Sequence, residues 1–148
     1  MGVETFLLAS TLRVAVGQRL VRRLGEAKES YTLSASEKAE LGKQVDLDKV
    51  LSVLKDEGVV KKDATWSNVP FFRPKNMDDD SAYKGRIGIH EVLTISPTIK
   101  ESMMNDGTSD DVEALAKKEG MLTMLEDGIY KAAQGVTSIE EVLRVINE

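Results

Sequence analysis

The sequence predicts an α+β fold that is mainly helical, with a small antiparallel sheet followed by a C-terminal helical bundle. The sheet is indicated by β-favouring residues from Tyr83 to Ser96, which lie between an acidic run and a Ser-Pro pair. The bundle is indicated by four later segments with apolar residues at helical spacing. We therefore expect the sheet within residues 1–95 and the bundle within residues 96–148.

The composition excludes several classes of site and partner. The 148 residues suffice for one domain with its own core, and they include no cysteine and a single histidine, His90. Disulfides, thiolate zinc sites, cysteine nucleophiles and multi-histidine metal clusters are therefore excluded. The net charge of −5 argues against a nucleic-acid role but permits a local basic patch. Short apolar stretches and the lack of a signal-peptide pattern predict no direct membrane insertion.

The first predicted elements are a helix and a short strand. Apolar residues at helical spacing predict an amphipathic or largely buried helix from Glu4 to about Ala15, and Gly17 interrupts the pattern. From Gln18 to Leu24 apolar and cationic residues alternate only partly. We interpret this segment as a strand that leads into a turn at Gly25, with a helix as the competing interpretation.

Two helices are expected next. Ser34 and Glu37 form a capping-box pattern, which predicts a helix from Ala35 to Leu41. Apolar residues then recur at helical spacing from Leu47 to Leu54, and Gly58 supplies the left-handed end that many helices have.

An extended segment and a loop precede the central strand. Pro70 and Pro74 exclude a helix, so Phe71 to Arg73 is predicted to be a short edge strand. The polar run from Lys75 to Ala82 predicts an exposed loop. We expect this loop to let the short strand fold back as a hairpin against residues Gly85 to Val92.

Four C-terminal helices are predicted, three of them from their caps. At Ser96, at Thr108 or Ser109, and at Ser138, a hydroxyl ahead of the helix can accept a hydrogen bond from an amide of the first turn. Ser138 with Glu141 is a second capping box, ahead of the most regular apolar stripe in the chain. The expected starts are Ser96-Pro97, Thr108 or Ser109, Thr123, and Ser138.

No catalytic or nucleotide-binding motif is complete. The nearest approach to a phosphate-binding loop, Gly42-Lys43-Gln44, lacks the first glycine and the hydroxyl residue. Asp78-Asp79-Asp80 lacks the alternating ligands of a calcium loop and is interpreted as a solvated loop. His90 stands beside Glu91 in a strand, where neighbours point to opposite faces, so we interpret it as a structural or surface histidine.

Three arginines are the candidate site residues. Arg19, Arg22 and Arg23, with Arg13 nearby, form a basic cluster in an acidic chain, and guanidinium groups suit phosphates or carboxylates. Two interpretations stay open: the cluster pairs with acids of a neighbouring domain or subunit, or it binds phosphate.

Two methionine pairs lie in the C-terminal half. Met103 with Met104 and Met121 with Met124 could line an adaptable groove. Because they stand at helical spacing among leucine and alanine, we interpret them as core residues.

Three blocks of sequence carry a family resemblance. They are residues 1–12 leading into Gly17-Gln-Arg-Leu-Val-Arg-Arg-Leu, then Tyr83-Lys-Gly-Arg-Ile-Gly-Ile-His-Glu-Val-Leu, and finally residues 119–129 with 135–145. In these blocks the chain resembles the C-terminal portion of the secretion traffic ATPases, the hexameric motor proteins of type II secretion and type IV pilus assembly. The blocks together extend over almost the whole sequence.

The resemblance implies a piece of a longer protein whose phosphate-binding loop and magnesium-binding segments lie upstream. ATP and magnesium would belong to that parent, and this part should not hydrolyse ATP alone. Residues 1–95 would complete the edge of a RecA-like motor domain, with an insertion at about 25–82. Residues 96–148 would form a C-terminal helical subdomain.

The resemblance also implies partners and a role. The partners would be the motor domain of the parent chain, neighbouring subunits of a homohexamer and an inner-membrane platform protein, on the cytoplasmic side of the inner membrane. The role would be non-catalytic, in subunit packing and in coupling ATP hydrolysis to protein export or pilus extension. Arg19, Arg22 and Arg23 become candidates for a nucleotide-proximal or inter-subunit role. A free-standing adaptor or interaction module without motor activity is the alternative.

The chain departs from the family at its zinc site. Many members hold zinc with two cysteine pairs, but here Gly25 and Ala27 stand near the first pair and Lys75 and Asp78 near the second. None of these can replace a thiolate, so zinc is not expected. The segment 45–74 should instead be held by hydrophobic contacts around Leu51, Leu54, Trp66 and Phe71.

Overall fold

The computed structural model describes residues 5–148 and confirms the mixed, mainly helical α+β class. The helices are α1 (Thr5–Thr11), α2 (Ala35–Gly42), α3 (Leu47–Asp56), α4 (Pro97–Met104), α5 (Ser109–Lys118), α6 (Met124–Ala133) and α7 (Ile139–Ile146). The strands are β1 (Val14–Leu24), β2 (Lys28–Tyr31), β3 (Phe71–Pro74) and β4 (Tyr83–Thr94).

The first helix is shorter than predicted. Helix α1 ends at Thr11, so the prediction that it continues to Ala15 is wrong, and its predicted start, Glu4, lies outside the described residues. The chain enters β1 at residue 14, and Gly17 lies inside that strand rather than at a break. Pairing with β4 gives alternate residues of β1 backbone hydrogen-bond partners, and this pairing outweighs the helical spacing of the side chains.

Strands β1 and β4 form a long antiparallel ribbon. Their register runs from Val14 opposite Thr94 to Leu24 opposite Tyr83, with an irregularity between Arg22 and Leu24. The predictions of a strand at residues 18–24 and of a central strand from Tyr83 are therefore confirmed. The competing helical interpretation of residues 18–24 is wrong.

The predicted hairpin between β3 and β4 is wrong. Strand β3 pairs instead with β2, with Tyr31 opposite Phe71. One edge of β4 is occupied by β1 and the other by side chains of α6, so β4 has no free edge for β3. Strand β2 was not predicted, because its residues Lys-Glu-Ser-Tyr lack the apolar alternation of a half-buried strand.

Helices α2 and α3 and the core beside them agree with the predictions. The Ser34–Glu37 capping box is formed in both directions, and Gly58 has a left-handed φ of 70°. Leu54, Trp66 and Phe71 are buried, with Leu51 packed against the same cluster. The rings of Trp66 and Phe71 are stacked, with their centroids 6.2 Å apart.

All four predicted C-terminal helices form, but they pack as two pairs, α4 with α5 and α6 with α7.

The second capping box is only half formed. Ser138 accepts a hydrogen bond from the Glu141 amide, whereas the Glu141 carboxylate binds Arg22 and Arg144 instead of the Ser138 backbone. Within residues 5–148, no helix has the length and apolar character needed to cross a membrane.

The two helix pairs belong to two hydrophobic clusters. Helices α6 and α7 close the main cluster against the ribbon, β3 and α3. Its members include Val21, Val50, Leu54, Phe71, Ile89, Ile129 and Val142. The smaller cluster, under α4 and α5, has Ile95, Ile99 and Ala116 as its buried residues.

The methionines are divided between these clusters. Met124 packs against the main cluster, and Met103 and Met121 pack against the smaller one. Met104 is 53% exposed, so its assignment to the core is wrong. It is the last residue of α4.

The segments that would carry zinc ligands in the family are joined here by backbone hydrogen bonds. The Gly25 amide donates to the Ala82 carbonyl, and the Lys75 amide donates to the Ala27 carbonyl, both at 3.0 Å. These bonds close the base of the segment between the two ribbon strands. In the described part of the chain, no group of three or more histidine and carboxylate side chains could hold a metal ion.

Candidate interaction surface

The two faces of the ribbon have different environments. Val21 and Ile89 point inward and are 1% and 0% exposed. On the opposite face, Val16 lies across from Val92, and these side chains are 59% and 48% exposed. Val14 and Leu20 extend the same apolar face, which we call the outer face.

One edge of β1 is also open. The Gly88 carbonyl and the His90 amide of β4 point away from β1, towards Lys131 and Asp127. Their partners Leu20 and Gln18 therefore belong to non-hydrogen-bonded pairs, in which the backbone groups of both residues point away from the partner strand. Within residues 5–148 these outward groups of Gln18 and Leu20 have no hydrogen-bond partner. Among the residues that the structure describes, none pairs with this edge along the first part of β1.

Towards its C-terminal end the same edge is closed by α7. The Arg22 amide donates to the Glu141 carboxylate at 3.0 Å, and Thr137 donates its hydroxyl to the Arg22 carbonyl at 2.8 Å. The Arg22 guanidinium binds the same carboxylate through two hydrogen bonds of 3.0 and 2.7 Å. Arg144 binds it from the other side, again through two bonds. Glu141 thus ties the ribbon to α7.

The charge of Glu141 is stabilised by these contacts. Burial raises the pKa of Glu141, but hydrogen bonds from Arg144 and Arg22 outweigh it and lower the pKa from 4.5 to about 2. The same hydrogen bond raises the pKa of Arg22. The Arg22 guanidinium also lies 4.4 Å from the centre of the Tyr83 ring, whose hydroxyl is 2.7 Å from the Ser138 hydroxyl.

The three candidate arginines therefore differ in their surroundings. The Arg22 guanidinium binds the Glu141 carboxylate, and the Arg19 guanidinium donates a hydrogen bond to the Val145 carbonyl of α7. Arg23 is exposed and has no ion pair within residues 5–148. Sequence reasoning missed Glu141 as the partner of Arg22. The available signal was its place in a capping box, which indicated a different partner.

The single histidine lies where α6 meets β4. Its amide donates to Asp127 at 2.8 Å, and its Nδ1 atom lies 3.3 Å from the Lys131 ammonium. The adjacent Glu91 carboxylate accepts from the Met124 amide at 3.2 Å and takes no part in this cluster. The His90 amide and the Lys131 ammonium, which binds the Gly88 carbonyl, fasten α6 to the edge of β4, while the His90 side chain is 40% exposed. This placement is compatible with a structural or surface histidine.

The acidic loop is exposed, as predicted. Asp79 accepts hydrogen bonds from the amide and hydroxyl of Ser81, both at 2.8 Å, and these bonds lower its pKa. Asp78 and Asp80 are exposed beside it. The loop therefore has its own turn structure.

Comparisons with known proteins agree with the resemblance. The family described as "Type II/IV secretion system protein" matches residues 1–144. "Type II secretion system protein E" of Xanthomonas campestris pv. campestris is 35% identical over 149 residues, covering 100% of this chain and 24% of that protein. "Type IV pilus assembly ATPase PilB" of Acinetobacter baylyi is 31% identical over 150 residues, covering 100% of this chain and 23% of that protein.

The chain spans about a quarter of the length of these relatives. "Type II secretion system ATPase E" of Vibrio cholerae shows the same proportion, with 31% identity over all of this chain and 26% of that protein. The blocks that carry the resemblance include α1, both strands of the ribbon, β1 and β4, and the helices α6 and α7 that cover it. With the family match covering 144 of 148 residues, the chain belongs to the type II/IV secretion system protein family.

Proposed function

We propose that this chain is a non-catalytic part of a hexameric secretion or pilus-assembly ATPase. It contributes to subunit packing and couples ATP hydrolysis in the rest of the protein to protein export or pilus extension. The observation that carries the proposal is the outer face of the ribbon, where apolar side chains are exposed beside a strand edge that no described residue pairs with.

Such a surface is typical of a sheet that continues into another structural unit. Unpaired edges with apolar faces favour association, and soluble domains usually cover or charge them. The occupant we propose is the RecA-like motor domain of the same parent chain. Relatives about four times as long as this chain support that choice, since they have ample additional chain to supply it. Residues 1–95 then form the motor-domain edge with its insertion at about 25–82, and residues 96–148 form the helical subdomain.

Within that assembly we assign different roles to the arginines. Arg23 is available for a nucleotide-proximal or inter-subunit contact, because its guanidinium is exposed. Arg19 and Arg22 act by holding α7 against β1. ATP and magnesium bind elsewhere in the parent. The assembly works in the cytoplasm, at the inner face of the inner membrane through a platform protein.

The alternative is a free-standing adaptor module without motor activity, whose outer face binds a separate protein. The reading frame upstream of Met1 distinguishes the two. An in-frame phosphate-binding loop supports the ATPase part, and a translation start at Met1 supports the adaptor.

The outer face can be tested with Val16→Glu. In the 148-residue chain this exposed site should tolerate the charge, with a change in unfolding free energy within about 0.5 kcal/mol. In the protein encoded by the complete reading frame, the buried charge should abolish hexamer formation and ATP hydrolysis, measured by light scattering and phosphate release.

Met77→Glu is the matched control, since Met77 is 58% exposed but lies in the acidic loop between β3 and β4. It should leave both the short chain and the complete protein unchanged. If the complete protein carrying Val16→Glu assembles and hydrolyses ATP as the control does, the outer face is not the motor-domain contact.

A further inference from the structure

A groove on the inner side of the ribbon is separate from the surface discussed so far. It lies between the C-terminal end of β4 and the α4–α5 pair and has a volume of about 580 Å³. We call it the α4–α5 groove. Its apolar lining residues are Leu12, Leu93, Ile95, Met103, Val112 and Met121.

The floor of the groove is partly accessible. Ile95 is buried, but the other five apolar lining residues are only half-buried. Among the side chains that the structure describes, the cluster beneath has three buried members, Ile95, Ile99 and Ala116. Two of the half-buried residues are methionines, whose unbranched side chains adapt to different ligands. The floor can therefore adjust to an apolar side chain inserted from outside.

The rim of the groove is negatively charged. Glu91, Asp106 and Glu113 contribute carboxylates, and no lysine or arginine is among the described residues that line the groove. Glu91 and Glu113 also have contacts within the chain, to the Met124 amide and the Lys117 ammonium. Asp106 is exposed at the opening. This sign of charge favours a cationic occupant and opposes anionic lipids, nucleotides and acidic peptides.

The backbone at the rim is also unusual. Asp106 has a φ of 59°, the only positive value among the non-glycine residues described. It follows the end of α4 in a position where glycine is usual, and the Gly107 amide donates to the Ser102 carbonyl at 2.8 Å, as in a Schellman motif. An aspartate in this conformation costs free energy relative to glycine, and it places a carboxylate at the opening.

We propose that the α4–α5 groove is a docking site for a polypeptide segment of a partner protein that carries apolar anchors flanked by lysine or arginine. The volume is in the range of natural ligand sites, and the groove combines an apolar floor with an anionic rim. The inference goes beyond the proposed function and does not depend on it, because the groove and the outer face lie on opposite sides of the ribbon.

The test uses the 148-residue chain and a fluorescein-labelled amphipathic peptide of about 15 residues with leucine and methionine on one face and lysine on the other. A matched peptide has glutamate in place of lysine. The lysine peptide should bind more tightly by roughly three- to tenfold, as expected for two exposed ion pairs, and the difference should shrink in high salt. Amide resonances of Leu93, Met103 and Val112 should shift on binding, while those of Val16 and Leu20 should not.

Neutralising the rim provides the second arm. Asp106→Asn with Glu113→Gln keeps side-chain size, and asparagine tolerates the left-handed backbone, so the variant should fold. It should lose the preference for the lysine peptide. Asp78→Asn with Asp80→Asn removes the same charge from the acidic loop and should keep the preference.

Three results would overturn the proposal. One is that neither peptide binds, and another is that both bind equally well. The third is that the loop control loses the preference as strongly as the rim variant, which would assign the effect to net charge.

Discussion

At the scale of residues, the buried carboxylate of Glu141 links β1 to α7 through hydrogen bonds with Arg22 and Arg144. Glu141 is only 2% exposed, yet its carboxylate is charged. The carboxylate accepts hydrogen bonds from the Arg22 and Arg144 guanidinium groups and from the Arg22 backbone amide. Both arginines are about half exposed, so water screens them on their outer sides. The pairing joins the end of β1 to the first turn of α7.

Glu141→Gln is expected to destabilise the chain by about 2 kcal/mol, because it removes charge-assisted hydrogen bonds and leaves two arginines without their shared anion. Urea unfolding at pH 7 measures the change. Glu140→Gln is the control, since this neighbour is exposed in the same turn of α7. Equal effects of the two variants would show that Glu141 is no stronger a link than a surface carboxylate.

The low pKa of Glu141 predicts a specific dependence of stability on pH. Its folded value of about 2 lies below its ordinary value of 4.5, so its contribution is complete above about pH 4.5 and is lost as the pH falls towards 2. A pKa difference of this size corresponds to a loss of roughly 3 kcal/mol. Unfolding free energies of the wild type and Glu141→Gln should therefore converge in this window. A constant difference from pH 5 to pH 2 would contradict the assignment.

At the scale of elements, α6 and α7 owe their close packing to a small residue. A Cβ atom built on Gly128 would lie 2.3 Å from the Cγ1 atom of Val142, and both residues are buried. Glycine inside a helix is otherwise unfavourable, by about 1 kcal/mol relative to alanine. The contact between the helices therefore outweighs local helix propensity at this position.

Gly128→Ala should destabilise the chain by about 1 to 2 kcal/mol, because overpacking exceeds the gain in helix propensity. Val142→Ala creates space at the same point, so in the double variant the added methyl should cost less than it does alone. Thermal or urea unfolding of the four proteins completes this double-mutant cycle. Additive effects would mean that the two residues are not in contact.

At the scale of the whole molecule, the two hydrophobic clusters differ greatly in size. The main cluster joins the ribbon, the segment between its strands, α6 and α7. The smaller one, which supports α4 and α5 beside the groove, has three buried residues among those described. A region with few buried apolar side chains opens at a lower free energy than the main core.

Hydrogen exchange should resolve this difference. Amides of α4 and α5 are expected to exchange faster than those of β4, α6 and α7 under native conditions, because they are released by a local opening. Mass spectrometry after deuterium labelling measures the rates. Equal protection in both helix pairs would indicate a single cooperative unit.

Local signals in the sequence identified most of the elements. Caps such as Ser34 and Ser96, and the left-handed glycine at position 58, act through backbone hydrogen bonds and steric limits within a few residues. For that reason the helix boundaries from α2 onward agree closely with expectation. The family resemblance, which depends on residue order alone, is likewise confirmed by the comparisons.

Strand partners and side-chain partners were decided by the tertiary structure. Three of these contacts join groups far apart in sequence. Strand β3 pairs with β2, β1 begins at Val14 where it pairs with Thr94, and Glu141 binds Arg22. The residues next to a strand or a charged side chain do not specify these contacts, because several other strands or side chains could form the same hydrogen bonds with it. The sequence by itself determined the caps, the fold class and the family. Only the tertiary structure determined which surfaces are covered. It places β1 and α6 on the two edges of β4 and the first turn of α7 on the edge of β1, and it leaves the outer face of the ribbon exposed.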